Sequence, residues 1–178
     1  YFMASEEKNQ SNIINSELNL NYNKYIFADK PINRFKTKPK VEDKSTKLEE
    51  LSSEIEKIEN CELKKNASKI VFSDGNNRSK IMIVGEGPGQ KEDQEGKPFV
   101  GDAGMLLNKM LKSINIERKN VYITNVVNYR PPNNRKPEPV EITKYSNFLR
   151  KHISIIDPKI LILMGSTAME SLFGSNIK

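Results

Sequence analysis

The stretch Gly85-Glu86-Gly87-Pro88-Gly89-Gln90 sets one carboxylate among residues of little side-chain bulk. A carboxylate so placed can orient a water or stabilise positive charge on a substrate, and the amides of Gly87, Gly89 and Gln90 can hold an oxygen gaining negative charge. The stretch is not a phosphate loop: no Lys-Ser or Lys-Thr closes it, and Pro88 lacks the amide that a dinucleotide loop would offer. Taken alone, its glycines, Gly85 included, also suit a tight turn or any close backbone approach. Phe99, in Pro98-Phe99-Val100-Gly101, offers an aromatic face, although by type alone it reads more simply as a core residue. Asn125 carries a carboxamide able to accept and donate at once, the alternative being a turn residue at a strand end. Arg130 and Arg135 lie in a proline-rich loop and suit either phosphate contacts or solvated charge.

These residues need a scaffold, and the apolar pattern supplies one. Ile81-Met82-Ile83-Val84 reads as a buried strand running into the glycine-rich loop, Val121 to Val127 as a second strand, and Ile160 to Met164 as a third buried strand. Between them, Met105, Leu106, Leu107, Met110, Leu111 and Ile114 fall at helical spacing. So do Ile142, Tyr145, Phe148, Leu149 and Ile153, with Pro158 as the stop. Gly75-Asn76-Asn77 marks a turn before the first strand, and a short helix begins near Ser166. Upstream, Leu48, Leu51, Ile55 and Ile58 predict a helix from Lys47. Strands alternating with helices predict a three-layer α/β/α fold with a central parallel sheet. The loops after Val84, Val127 and Met164 should then share the ligand-binding edge.

The composition of the 178 residues agrees with one such domain plus a tail. Only 36% are hydrophobic, and residues 1–46, rich in Asn, Lys, Ser and Glu, read as a mostly disordered arm ahead of a domain over 47–178. A net charge of +6 favours a polyanionic partner. A single cysteine excludes an internal disulfide and fits a reducing, cytoplasmic compartment. No run of about eighteen apolar residues exists to span a membrane. Tyr1-Phe2 ahead of Met3 suggests appended residues or an internal fragment.

The glycine-rich stretch continued through Lys91-Glu92-Asp93, Gly96-Lys97-Pro98-Phe99-Val100-Gly101 and Gly104 resembles the first long motif of the family-four uracil-DNA glycosylases. Thr124-Asn125-Val126-Val127 with Arg130-Pro131-Pro132 and Asn134-Arg135 resembles their second, and the likeness runs from about Cys61 to Phe173. The resemblance implies hydrolysis of the N-glycosidic bond of uracil in DNA, the first step of base-excision repair. It implies that Phe99 stacks on the flipped base, that Asn125 reads its edge, and that Glu86 stands beside the scissile bond. Glu92 and Asp93 are expected to hold backbone amides or to lie in solvent.

Two departures from the family accompany the likeness. Its four cluster cysteines correspond here to Ile58, Cys61, Tyr129 and Tyr145, so no iron–sulfur cluster and no other metal is expected, with the tyrosines packing in its place. The family's later strand and His-Pro-Ser motif have no counterpart before Lys178, so weak or absent turnover is expected of this chain. His152 lies in the wrong helix to substitute and is expected at the surface or its boundary. The protein is expected to act as a monomer on uracil-containing DNA, with replication or repair proteins as further partners. A non-catalytic DNA- or uracil-binding remnant and a replication-associated interaction domain are the other readings.

Overall fold

The computed structural model describes residues 43–174, so the expected arm lies almost wholly outside the described residues. Helix α1 (Lys44–Glu56) buries Leu48, Leu51 and Ile55 and is followed by α2 (Glu62–Asn66). Strand β1 (Asp74–Gly75) precedes β2 (Ile81–Gly85), α3 (Gln90–Glu95) and α4 (Asp102–Ser113). Strand β3 (Tyr122–Asn125) leads through the proline-rich loop to α5 (Pro139–Ile156), β4 (Ile160–Leu163) and α6 (Ser166–Phe173).

The sheet order is β1-β3-β2-β4, with β2 parallel to both β3 and β4 and β1 antiparallel to β3. Because alternate residues of a strand face opposite ways, β2 serves two cores. Met82 and Val84 pack with α1, α5 and α6, whereas Ile83 packs with Leu107 and Leu111 of α4. The α/β/α layering expected from the sequence follows from this division.

Three expectations change. The turn expected at Gly75-Asn76-Asn77 begins one residue later, closed by Ser79 N donating to Asn76 O at 3.0 Å, while Gly75 itself pairs with Tyr122 at a φ of 97° that favours glycine. In α4 only Gly104, Leu107 and Leu111 are buried, and Met105, Leu106, Met110 and Ile114 are exposed, because one helical face meets the sheet. Strand β4 is not fully buried: Leu161 and Leu163 join the core, but Ile160 and Ile162 are 53% and 41% exposed on the α4 side. The strand stands at the sheet's edge, and no described element covers those two residues.

His152 is a further correction. It is 1% exposed, its ring stacks 4.5 Å from that of Phe72, and its Nε2 shares a 2.8 Å hydrogen bond with the Tyr122 hydroxyl. Burial disfavours the charged imidazolium and lowers its pKa to about 3. The unfolded chain therefore binds a proton near pH 6.5 that the folded chain refuses until about pH 3. The stability that His152 supports is complete above pH 6.5 and falls as the pH drops through that window, by at most about 1.4 kcal/mol per unit. Urea unfolding of wild type and His152→Gln should show a gap that narrows between pH 7 and pH 5. A gap that does not change with pH would mean that the imidazole titrates alike in both states.

Candidate functional site

The pairing of Gly85 with Asn125 brings the glycine-rich loop and the end of β3 out of the sheet side by side. The register continues beyond the strands, with Val126 N donating to Gly85 O at 2.8 Å and Val127 N to Glu86 O at 3.2 Å. Between this edge and the segment entering α4 lies a cavity of about 210 Å³, bordered by Gly87, Gly89, Glu92, Phe99, Gly101 and Asn125. It is smaller than the clefts of about 300 Å³ and upward that take drug-sized ligands, and suits a single flat ring.

Glu92 builds one wall. Its Oε1 accepts from Val100 N at 2.9 Å and Gly101 N at 2.7 Å, while Oε2 accepts from Gly89 N at 3.2 Å. One carboxylate thus joins the glycine-rich loop to the Phe99 segment and closes the first turn of α3 from its third position. Asp93, 3% exposed, accepts from Ser68 N at 2.8 Å. Both acids hold backbone amides, one of the two roles expected of them. The Gly89 amide is consequently already engaged, which removes it from the candidate donors to a substrate oxygen.

Asn125 is 3% exposed, and its Nδ2 is the buried side-chain atom without a hydrogen-bond partner among the described residues. Leaving such a donor unpaired costs about 1–3 kcal/mol, so the position can receive an acceptor from a ligand or a water. Phe99 is half-buried on the cavity wall, and its Cζ and Cε2 crowd the space where a Gly85 Cβ would stand. Glu86 is exposed, adjacent in the chain to the cavity-lining Gly87 but not itself bordering the cavity, and its Oε2 accepts from Thr167 Oγ1 at 2.5 Å. Thr167 is fully buried in the first turn of α6. Sequence reasoning missed it, although its place just after β4 puts it on the same sheet edge.

Among the other expected site residues, Pro88 is buried and Gln90 is exposed at the start of α3; neither borders the cavity. Arg135 is not a free cation. Its Nη1 and Nη2 grip the Glu141 carboxylate at 2.8 and 2.7 Å, which lowers the Glu141 pKa and ties the loop to α5. Arg130 donates through Nε to Asn134 Oδ1 at 2.7 Å and has no carboxylate partner among the described residues, leaving it the better placed of the two for phosphate.

The four cluster-equivalent positions also meet. Cys61, Tyr129 and Tyr145 are buried in one apolar cluster against which Ile58 packs, and Cys61 Sγ lies 3.4 Å from the Tyr145 hydroxyl. Burial pushes both tyrosine pKa values up, with Cys61 adding to each. One thiol, two phenols kept neutral and an aliphatic side chain do not form the ligand set of an iron–sulfur cluster. No group of three His, Cys, Asp or Glu suited to a metal ion occurs among the described residues.

Known proteins carry the same arrangement of sequence. A family model described as the uracil DNA glycosylase superfamily matches residues 72–177. The chain is 45% identical to a type-4 uracil-DNA glycosylase of Thermotoga maritima over 68% of its own length and 64% of that protein. It is 46% identical to one of Sulfurisphaera tokodaii and 42% to one of Archaeoglobus fulgidus, each over 71% of its length. It spans 58% and 63% of those two proteins. The match covers the glycine-rich loop, the Phe99 segment and Asn125 together, and the chain belongs to the uracil DNA glycosylase superfamily.

Proposed function

We propose that the protein removes uracil from DNA by hydrolysing its N-glycosidic bond. The observation that carries this reading is the unpartnered, buried Nδ2 of Asn125 beside Phe99 in a cavity the size of one ring. Uracil presents an N3–H donor next to an O4 acceptor. Asn125 can accept the first with Oδ1 and donate to the second with Nδ2, whereas cytosine reverses both groups. Phe99 supplies the stacking face for the flipped base. As the bond breaks, its electron pair leaves on the base and positive charge grows on the sugar. Glu86, steadied by Thr167, orients the attacking water and opposes that charge. The Gly87 amide remains the candidate donor to the uracil oxygen, and Arg130 is assigned a phosphate.

The test is the appearance of abasic sites in uracil-containing DNA incubated with the product of the full reading frame that encodes this chain. Phe99→Ala should lower the rate about 10- to 100-fold, the worth of one base–aromatic stack. A protein that binds DNA yet leaves uracil intact through long incubation would overturn the enzymatic reading in favour of a binding module. We also propose that the Ile58, Cys61, Tyr129 and Tyr145 region is held by packing and carries no cluster. Purified protein should contain no stoichiometric iron and show no broad visible absorption; finding either would refute this assignment.

A further inference from the structure

Phe99 is the aromatic residue on the cavity wall, yet its backbone sits at φ 53°, a left-handed conformation that bulky residues rarely adopt. Such a conformation persists only where its surroundings over-determine it. Glu92 holds the amides that follow Phe99, and the carbonyls of Pro98 and Phe99 are held by Arg118, in the short 3₁₀ turn Arg118–Asn120 before β3. Its Nη2 donates to Pro98 O at 2.6 Å and its Nη1 to Phe99 O at 2.9 Å, with Asn108 Oδ1 at 3.2 Å from the same Nη1. Its Nε is anchored on Asp74 Oδ2 at 2.7 Å. Arginine's planar fork can meet these acceptors at once; a lysine ammonium at the end of a flexible stem cannot reproduce the fan. Asp74 pairs with Ile123 in the sheet, so the guanidinium carries the rigidity of β3 across to the loop. On its far side the Phe99 carbonyl lies against Gly104 of α4, where a Cβ would come within 1.9 Å.

We propose that Arg118 is a positioning residue for the aromatic wall. By holding two successive carbonyls it fixes Phe99 in the left-handed conformation that sets its ring over Gly85 and beside Asn125. Arg118 touches no substrate and acts through Phe99 alone. That the ring stacks on uracil rests on the function proposed above; that Arg118 fixes the ring does not.

The two parts separate in one set of experiments on the full chain. With 4-fluorophenylalanine incorporated at position 99, the wild-type ring should give one narrow fluorine resonance without any ligand. Arg118→Gln should shift or broaden it, and Asp74→Asn should do so to a smaller degree. A second label at Phe148, far from the clamp, should be unmoved and reports on folding. Should Arg118→Gln fail to fold, Arg118→Lys keeps the charge without the fork and carries the same expectation. Titration with free uracil should then show at least a tenfold loss of affinity in the Arg118 variant, but less than a twofold effect when Phe99→Ala is already present. An unchanged Phe99 resonance in folded Arg118 variants would overturn the proposal, as would an undiminished effect in the Phe99→Ala background. A ring that moves in a protein with no affinity for uracil would leave the positioning role standing and sink the uracil reading instead.

Discussion

Asn125→Asp should cost roughly 10³-fold or more in uracil excision, and the loss should shrink, relative to wild type, as the pH is lowered. The substitution changes few atoms but replaces the Nδ2 donor, now buried and unpartnered, with a second acceptor facing O4 of the base. Sites built around such hydrogen bonds reject a mismatched partner by about 10⁴–10⁵-fold, because a buried polar group is left facing the wrong one. Ionised, the new carboxylate would also be buried at a position only 3% exposed, which raises its pKa. Protonated, it offers an O–H donor and a carbonyl acceptor and imitates the lost amide. The ratio of variant to wild-type rates should therefore rise between pH 7 and pH 5.5; a constant ratio would mean that Nδ2 does not read O4. Stability should part company with activity here. The Asn125 Nδ2 has no hydrogen-bond partner among the described residues, so Asn125→Leu should melt within a few degrees of wild type while losing uracil binding.

The sequence exposed the residues that chemistry picks out and hid those that hold them. Met82, Ile83 and Val84 read correctly as a strand buried on both faces because each face has its own core to fill. Ile160 to Leu163 carry the same signature at the edge of the sheet, where only alternate residues meet a core, and composition does not separate the two cases. His152 was legible and overlooked: it falls three residues after Leu149 and seven after Tyr145, on the buried stripe of α5. Arg118 was not legible, since the oxygens through which it holds Phe99 are main-chain carbonyls twenty and nineteen residues earlier, and a carbonyl leaves no mark on residue type. Arg135 looked like a phosphate ligand for the converse reason. Its grip on Glu141 follows from the loop folding back on the first turn of α5, which spacing alone does not give.

The glycines at the cavity give the second large effect, and the difference between two of them tests the architecture. A Cβ at Gly85 would lie 2.5 Å from Phe99 Cζ and 2.6 Å from Asn125 Oδ1. Strand β2 is paired on both sides and cannot yield, so Gly85→Ala must displace the aromatic ring, the amide or both. The Phe99 main chain is held by Arg118, which leaves rotation of the ring as the cheapest escape and removes the stacking face. Uracil affinity and excision should fall about a hundredfold, with a stability loss of about 1–3 kcal/mol typical of overpacking. At Gly104 the same methyl would meet the Phe99 carbonyl, main chain rather than a ring edge, at 1.9 Å. No rotamer relieves that clash, so Gly104→Ala must push α4 away from the loop and should be the more destabilising of the pair in urea. The expected ordering is thus crossed: Gly85→Ala retains more stability than Gly104→Ala, yet at temperatures where both are folded it retains no more affinity for uracil. If Gly85→Ala binds uracil like wild type, the ring and amide do not form the walls of the base pocket, because the one substitution that must move them has no effect.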